Sequence, residues 1–342
     1  MALSSKSLIT IAGAGNIGCY LGGRLAAAGR NVTLLLRERL AKPIASFGLR
    51  ISDLKGSDET VAASSIALAT EASAALATAD VILVTVKCWD TEAMAELIGR
   101  HGARKPVIVS LQNGISNAAV IRRVVGSDHR VTAAMVPFNV IQTLTDGEAP
   151  RFHRASSGTI QIGAGIPSLR ALLNTPEIPF AEHMAIDAIL WSKLLLNLNN
   201  ALNALSDMPL AQQLDDRRWR LLLAKQMEEG LAAIRSAHIP LAPIEGIHPR
   251  FVMLALRLPD LLFKLAARRM LAIDPSARSS MWEDLAGRRP TEIYGLQGEI
   301  VRLAARHGLD VPLNKRVIKF IRSAERARQG SPRIAPDAVG IS

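Results

Sequence analysis

Residues 8–37 read LITIAGAGNIGCYLGGRLAAAGRNVTLLLR, and the fold turns on how this stretch is parsed. A short apolar run (Leu8, Ile9, Ile11, Ala12) meets Gly13-Ala14-Gly15-Asn16-Ile17-Gly18. An alanine- and leucine-rich helical pattern follows, then a second apolar run at residues 32–36. Strand, glycine turn, helix, strand is the setting in which a GxGxxG sequence carries mechanism. Gly13 permits the tight turn, Gly15 lets the backbone approach a pyrophosphate, and Gly18 lets helix and strand pack closely. The helix opening behind them offers unpaired N–H groups and a positive dipole end to phosphates. A glycine-rich turn without a ligand accounts less well for the flanking strands.

The residues after the second strand refine the cofactor. An NAD-binding unit places Asp or Glu about 20 residues beyond the glycines to bond the ribose 2′-hydroxyl. This chain has Arg37-Glu38-Arg39 instead. A planar guanidinium at Arg37 can pair with two oxygens of a 2′-phosphate. NADP(H) is therefore expected over NAD(H), while Glu38 keeps the second cofactor open.

The 342-residue chain is long enough for two cores. Nearly half of it is hydrophobic, which excludes a disordered chain. No apolar run is long enough to span a bilayer without a charge or a breaker. The richest candidate, residues 251–273, is interrupted by Arg257, Pro259, Asp260, Lys264, Arg268 and Arg269. It is expected to form two core-facing helices broken at Pro259, in preference to a basic membrane-surface segment. Residues 1–30 are superficially apolar, but glycines with dinucleotide-binding spacing cut the run, so it is read as mature protein and not a signal peptide. Only Cys19 and Cys88 occur, too few for a disulfide framework, and a reducing cytoplasm fits. The net charge of +11 raises the question of nucleic acid. Aromatics at 4% leave few stacking platforms, and the basic residues are dispersed, so an anionic cofactor and small anionic substrate are the expected partners. The sequence leaves a homodimer open.

Along the chain, residues 49–51 and 60–69 flank a Lys55-Gly56-Ser57-Asp58 turn, read as a hairpin or edge insertion. VILVTV at 81–86 has the continuous apolar character of a buried parallel strand. A helix at 90–100, a strand at 106–111, a helix at 116–125 and a strand at 131–136 follow. The alternation predicts an α/β doubly wound parallel sheet, in which ligands bind outside the carboxyl ends of the strands. Three polar tips belong there: 13–18, Lys87 and Asn113, although a surface lysine and an Asn-Gly turn are the plain alternatives for the last two. A short strand at 159–162 and a loop with a short helix at 167–179 complete this half. Beyond Met184 nearly everything has helical spacing. The expected organisation is a Rossmann-type domain over 1–184, an all-helical domain over 185–328 and a loose tail over 329–342.

One helix is expected over 187–206. On it Lys193, Asn197 and Asn200, four and three residues apart, place an ammonium and two amides on one face. So apolar a helix buries its surface, so its polar stripe faces partners or a wet cleft; an interdomain polar seam is the bland alternative. A second constellation holds Ser279-Ser280-Met281-Trp282 and Pro290-Thr291-Glu292-Ile293. Pro290 suits a first helical position, which puts Glu292 in the first turn, where the dipole favours its charge.

The dinucleotide fingerprint, Val84-Thr85-Val86-Lys87-Cys88-Trp89, Gln112-Asn113-Gly114, Trp191-Ser192-Lys193-Leu194 with Asn197, Ser280-Met281 and Pro290-Thr291-Glu292-Ile293 occur in the order found in the ketopantoate reductase (2-dehydropantoate 2-reductase) family. From about residue 8 to about 325 the sequence resembles that family. The resemblance implies NADPH-dependent reduction of 2-dehydropantoate, a 2-oxo acid, to D-pantoate in pantothenate biosynthesis. It implies that Lys193 is the general acid and that Glu292 holds the lysine and a substrate hydroxyl. By the same resemblance Gly13, Ala14, Gly15, Asn16, Ile17, Gly18, Arg37 and Lys87 contact NADPH, and Asn113 lies by the nicotinamide and substrate. Ser280 meets the substrate carboxylate, and Asn197 meets the substrate. One departure stands out: family members often carry a second substrate asparagine eight residues after the lysine, where this chain has Ala201 with Asn200 one position earlier. Either Asn200 substitutes or the acid differs, and residues 244–277, with Phe251, Met253 and Leu254, could line an altered pocket. A reductase of another 2-oxo acid and a non-catalytic NADP-binding sensor are the competing expectations.

Overall fold

The computed structural model describes residues 3–267, 274 and 276–340. The end of the apolar 251–273 stretch, including Arg268 and Arg269, and residues 341–342 of the expected tail lie outside the described residues. The chain divides into two units, Met1–Asp187 and Ala188–Ser342.

The first unit runs β1 (Leu8–Ala12), α1 (Asn16–Ala27), β2 (Asn31–Leu35), α2 (Glu38–Phe47), β3 (Leu49–Asp53), β4 (Asp58–Val61), β5 (Ala67–Ala69), α3 (Ala72–Leu76) and β6 (Val81–Val84). It continues through α4 (Thr91–His101), β7 (Val107–Ser110), α5 (Asn117–Val125), β8 (Val131–Met135), β9 (Val140–Thr143), β10 (Arg151–Arg154), β11 (Ile160–Gly163), α6 (Leu169–Leu173) and β12 (Phe180–His183). Eight strands form one sheet in the order β12-β11-β8-β7-β6-β1-β2-β5, parallel except where β11 meets β8. This is the Rossmann-type doubly wound sheet expected. Every residue of β6 and β7 is buried, which explains why they are apolar on both faces. From β1 the sheet is built outward in both directions, so the crevice at its topological switch point opens between β1 and β6.

Two features depart from the expectation. The 60–69 run is split: β4 pairs antiparallel with β3, while β5 joins the large sheet beside β2. A second sheet, in the order β4-β3-β10-β9, was not foreseen. Its strands β9 (VIQT) and β10 (RFHR) are four residues long, two of the four residues in β9 and three of the four in β10 being polar or charged, so they lack an apolar run. Arg24 of α1 fastens this sheet to the helix that follows the glycine turn. Its guanidinium is buried and reaches Asp53 Oδ2 at 3.4 Å, Ser57 Oγ at 2.8 Å and the Tyr20 hydroxyl at 3.3 Å.

The second unit is helical: α7 (Ile186–Asn197), α8 (Asn199–Ser206), α9 (Leu210–Asp215), α10 (Arg217–Ser236), α11 (Pro249–Leu256), α12 (Asp260–Ala266), α13 (Ser280–Ala286), α14 (Gln297–Arg306), α15 (Pro312–Ala327) and α16 (Pro336–Gly340). The single helix expected over 187–206 is broken at Leu198, whose carbonyl accepts from the buried Gln297 Nε2 at 2.9 Å. Gly230 sits in the middle of α10 because a Cβ there would come within 2.7 Å of Leu195 and 3.3 Å of Ile300. Glu229 caps α15, accepting from the N–H groups of Leu313 and Asn314 at 2.9 and 3.0 Å. The stretch expected as a loose tail is tied down as far as residue 340. Ile334 N–H donates to the Leu205 carbonyl, Arg333 Nε reaches Asp207 at 2.8 Å, and Val339 is fully buried. Its breaker residues end one element and start another; they do not release the chain. Pro259 does break α11 from α12, but the pair is not core-facing: Phe251, Leu254, Leu261, Leu262 and Leu265 are exposed. Among the described residues no helix is long and apolar enough to cross a membrane.

Replacing Arg24 by methionine leaves the Asp53 carboxylate without its buried counter-charge, a loss of about 3 kcal/mol. Urea unfolding of R24M is expected to show a lower midpoint, with R24M/D53N recovering part of it.

Candidate active site

In the first unit β1 ends at Ala12 and the chain turns at once. Gly13 has a φ of +84°, and its N–H and that of Ala14 both donate to the Leu35 carbonyl at 3.2 and 2.9 Å. A side chain at Gly13 would collide with Val86, and a Cβ at Gly18 would come within 2.6 Å of Thr85 Oγ1 and 2.9 Å of Ile11 Cγ2. The glycines therefore let turn and helix lie directly against β1 and the end of β6. Thr85 Oγ1 closes the turn by donating to the Gly13 carbonyl at 2.9 Å. Gly15 is exposed and serves as N-cap of α1 without a side-chain cap bond. A twelve-residue helix thus begins at an exposed backbone that carries no Cβ, the kind of helix start that receives a phosphate. Asn16 turns to the other side, its Nδ2 donating to the Val140 carbonyl of β9 at 3.0 Å, and Ile17 packs on the core.

The remaining polar tips lie at the carboxyl ends of neighbouring strands. Arg37 follows β2 and is exposed as N-cap of α2. Lys87 follows β6, half-buried, with its ammonium 5.9 Å from the Trp89 ring centre. Asn113 follows β7, half-buried, its carbonyl accepting from Asn117 Nδ2 at 2.7 Å, and Gly114 takes the positive φ of the turn. Gln112 is buried and bonds Ser110 and Thr91, so it holds this end of β7 to α4. Neither cysteine is in a disulfide; Cys19 is buried, and burial pushes its thiol far above the ordinary value.

In the second unit α7 carries Lys193 and Asn197 one turn apart, both half-buried. Its rotation is fixed by the adjacent Ser192, whose hydroxyl donates to the Ala242 carbonyl at 2.6 Å and accepts from the Ala242 N–H at 3.1 Å. Burial pulls the Lys193 ammonium down to about 8, while the Glu292 carboxylate pulls it back up. Lysine and glutamate, 99 positions apart in sequence, are thus brought within electrostatic reach. Glu292 does not stand in the first turn of an α-helix as expected. It is buried just before a 3₁₀ turn, Ile293–Gly295, and α14 starts only at Gln297. The cause is Glu325 of α15, whose Oε1 accepts from both the N–H and the hydroxyl of Thr291 at 2.7 Å and which pairs with Arg322 at 2.6 Å. That grip holds residue 291 in place before any helix can begin.

The break at Leu198 puts Asn200 on α8. There its carbonyl accepts from Ser279 Oγ at 2.9 Å, while Asn203 Oδ1 accepts from the Ser279 N–H at 2.8 Å. Ser279, the N-cap of α13, therefore stitches α8 to α13 and brings Asn200 and the half-buried Ser280 together. Ala201, by contrast, is fully buried. Asp207 completes this corner, accepting from Trp282 Nε1 at 2.7 Å. Glu325, Gln297 and Asp207 carry no local sequence signal, since each acts on a residue more than thirty positions away; Ser279 is visible as a helix cap, but its bonds to α8 are not.

Two family descriptions match the chain: "Ketopantoate reductase PanE/ApbA" over residues 9–166 and "Ketopantoate reductase PanE/ApbA C terminal" over residues 185–325. A 2-dehydropantoate 2-reductase of Halobacterium salinarum is 28% identical over 331 residues, covering 93% of this chain and 99% of that protein. The crystal structure of a PanE/ApbA family ketopantoate reductase from Ralstonia eutropha JMP134 superposes with a TM-score of 0.77 at 29% identity, covering 94% of this chain and 99% of the other. A D-mandelate dehydrogenase, solved with NADH and anilino(oxo)acetate, shares the fold at a TM-score of 0.73 and 20% identity over 94% of this chain and 99% of its own.

Removing the Glu325 side chain orphans two donors beside Glu292, at a cost of about 1–3 kcal/mol. Thermal unfolding of E325A is expected to shift down accordingly, with E325Q, still able to accept from Thr291, recovering part of the loss.

Proposed function

The chain belongs to the ketopantoate reductase PanE/ApbA family, and on that premise we propose that it catalyses NADPH-dependent reduction of 2-dehydropantoate to D-pantoate, with Lys193 as general acid. The observation that carries the reading is the Lys193 ammonium, held near neutrality by burial and kept charged by Glu292. A carbonyl accepting hydride develops negative charge on its oxygen, and an ammonium within hydrogen-bond reach stabilises that charge and supplies the proton. A lysine at its ordinary value would hold its proton too tightly. One near 8 gives it up at physiological pH and regains it from solvent.

NADPH, when bound, supplies the hydride. The turn formed by Gly13, Ala14, Gly15, Asn16, Ile17 and Gly18 suits its pyrophosphate through the open end of α1, and exposed Arg37 suits its 2′-phosphate. Lys87 and Asn113, at the ends of β6 and β7, are assigned to the nucleotide's phosphate and nicotinamide side, Asn113 also to the substrate. Glu292 orients Lys193 and accepts from a substrate hydroxyl, Ser280 donates to the substrate carboxylate, and Asn197 and Asn200 donate amide N–H groups to its oxygens. Two cysteines, neither in a disulfide, support a reducing cytoplasm.

A second reading, reduction of a different 2-oxo acid, is favoured by the buried Ala201 with Asn200 beside it. The fold does not set the acid, since a D-mandelate dehydrogenase shares it.

Following NADPH oxidation with 2-dehydropantoate and a panel of other 2-oxo acids tests both readings; indifference to 2-dehydropantoate with turnover of another acid rejects the first. Lys193→Met is expected to lower kcat by roughly 10²–10⁴ while NADPH binding, read by fluorescence, persists. Because the donor must be protonated, the reduction rate is expected to fall as pH rises through about 8, and Glu292→Gln, which removes the charge that raises the lysine, moves that fall to lower pH. Arg37→Glu should weaken NADPH by about 10–100-fold and spare NADH, the worth of one or two bonds to a charged phosphate.

A further inference from the structure

In the first unit the tips of β6 and β7 are joined by side chains as well as by backbone. Where α4 and α5 begin, packed side by side, four polar side chains are withdrawn from water: Thr91, Ser110, Gln112 and Asn117. Polar groups so placed must satisfy one another or cost stability. Ser110 Oγ donates to Gln112 Oε1 at 3.0 Å, and Gln112 Nε2 donates to Thr91 Oγ1 at 2.7 Å. The Thr91 hydroxyl lies 2.8 Å from the Cys88 carbonyl and 2.9 Å from Asn117 Oδ1. Asn117 Nδ2 in turn donates to the Asn113 carbonyl at 2.7 Å, which fixes the end of its amide that faces Thr91.

A hydroxyl carries one proton. With Gln112 donating into Thr91 Oγ1, that proton is divided between two acceptors, one in the turn after β6 and the other on the helix after β7. Thr91 is thus the joint of a chain of bonds that starts at the carbonyl next to Lys87 and ends at the carbonyl of Asn113. Lys87 belongs to the same turn, its own carbonyl accepting from the Asp90 N–H at 2.9 Å. Packing of the two helices does not call for such bonds, since Ala95 and Ile98 of α4 and Ala118 and Ile121 of α5 are buried and apolar. The polar residues stand at the first position of each helix, next to the tips. A valine at 91 keeps the shape and the β-branch but takes from Gln112 Nε2 its acceptor and from Asn117 Oδ1 its donor.

We infer that Thr91 is a positioning residue of the reaction: through its hydroxyl and Asn117 it holds the Lys87 and Asn113 tips at one separation, so that a nucleotide gripped on its phosphate side presents its nicotinamide in register. The inference rests on the assignment of those two tips to NADPH. Thr91 itself is buried and acts through the backbone of residues 88 and 113.

Two readouts test this, NADPH titration followed by its fluorescence and steady-state kinetics on whichever 2-oxo acid the chain turns over, both well below the melting transition of each variant. Thr91→Val is expected to weaken NADPH binding about 10-fold and to lower kcat/KM about 10–100-fold, the scale of a tip displaced by an ångström. Thr91→Ser keeps the hydroxyl and is expected to restore both. Asn117→Ala releases the Asn113 tip alone and is expected to lower kcat while the Kd for NADPH stays native, a split that general loosening of the fold does not produce. Thr91→Val/Asn117→Ala is expected to lose no more than Thr91→Val, because both residues act in one chain of bonds. Native behaviour in Thr91→Val overturns the inference, as does a loss that Thr91→Ser fails to restore. If Thr91→Val does not fold, Asn117→Ala decides: lowered kcat at native Kd supports the inference, and any other result overturns it. Lys87→Ala and Asn113→Ala are measured alongside. Native behaviour in these two overturns the assignment of the tips and the inference with it, whereas losses in them beside a native Thr91→Val overturn the inference alone.

Discussion

A lysine withdrawn from water sheds its proton unless something opposes the loss. The C-terminal unit is arranged around that opposition. Burial draws the Lys193 ammonium down and Glu292 draws it up. Neither partner stands unsupported. Ser192, clasped by both polar groups of residue 242, fixes the rotation of α7. Thr291, gripped twice by Glu325, fixes the segment bearing Glu292. A pKa set by two opposing effects depends on geometry, because the electrostatic contribution of Glu292 changes with its separation from the amine. The hydrogen bonds of Ser192 and Thr291 tether the two segments that set it.

The first unit meets a different constraint, close approach. Gly13 and Gly18 stand where any side chain would strike Val86, Thr85 or Ile11, so the turn lies flat on the strand ends and the helix starts at Gly15 directly beside them. Arg37, Lys87 and Asn113 need no such accommodation. They simply follow β2, β6 and β7, and the order of those strands gathers them on one edge of the sheet.

The sequence discloses what is local. The glycine turn, the buried strands β6 and β7 and the Arg37 position are legible because each depends on neighbours within a few residues. Spacing also placed Lys193 and Asn197 on one face of α7. The same spacing overextended the helix, because the residue that interrupts it at Leu198 is Gln297, far along the chain. Glu292 was given a helical setting for the same kind of reason, since Pro290 signals a helix start and Glu325 overrides it. Strands β9 and β10 escape the sequence reading because four residues with neither an apolar run nor a clean alternation carry too little signal to stand out. The proximity of Asn200 to Ser280 depends on Ser279 bonding two residues of α8, which no pattern in either segment reveals.

The small sheet also joins segments that leave the ribosome far apart in time. Strands β3 and β4 are adjacent and can zip together as soon as they emerge, but the other edge of β3 waits for β10, whose Arg151 pairs with Arg50 about a hundred residues earlier. All of β6, β7 and β8 is synthesised in the interval, so the nascent chain carries an unpaired strand edge while the large sheet grows beside it. Asn16, at the mouth of the glycine turn, gains its bond to Val140 only when β9 arrives. The glycine turn, although encoded within the first twenty residues, is therefore completed by a contact made 124 residues later.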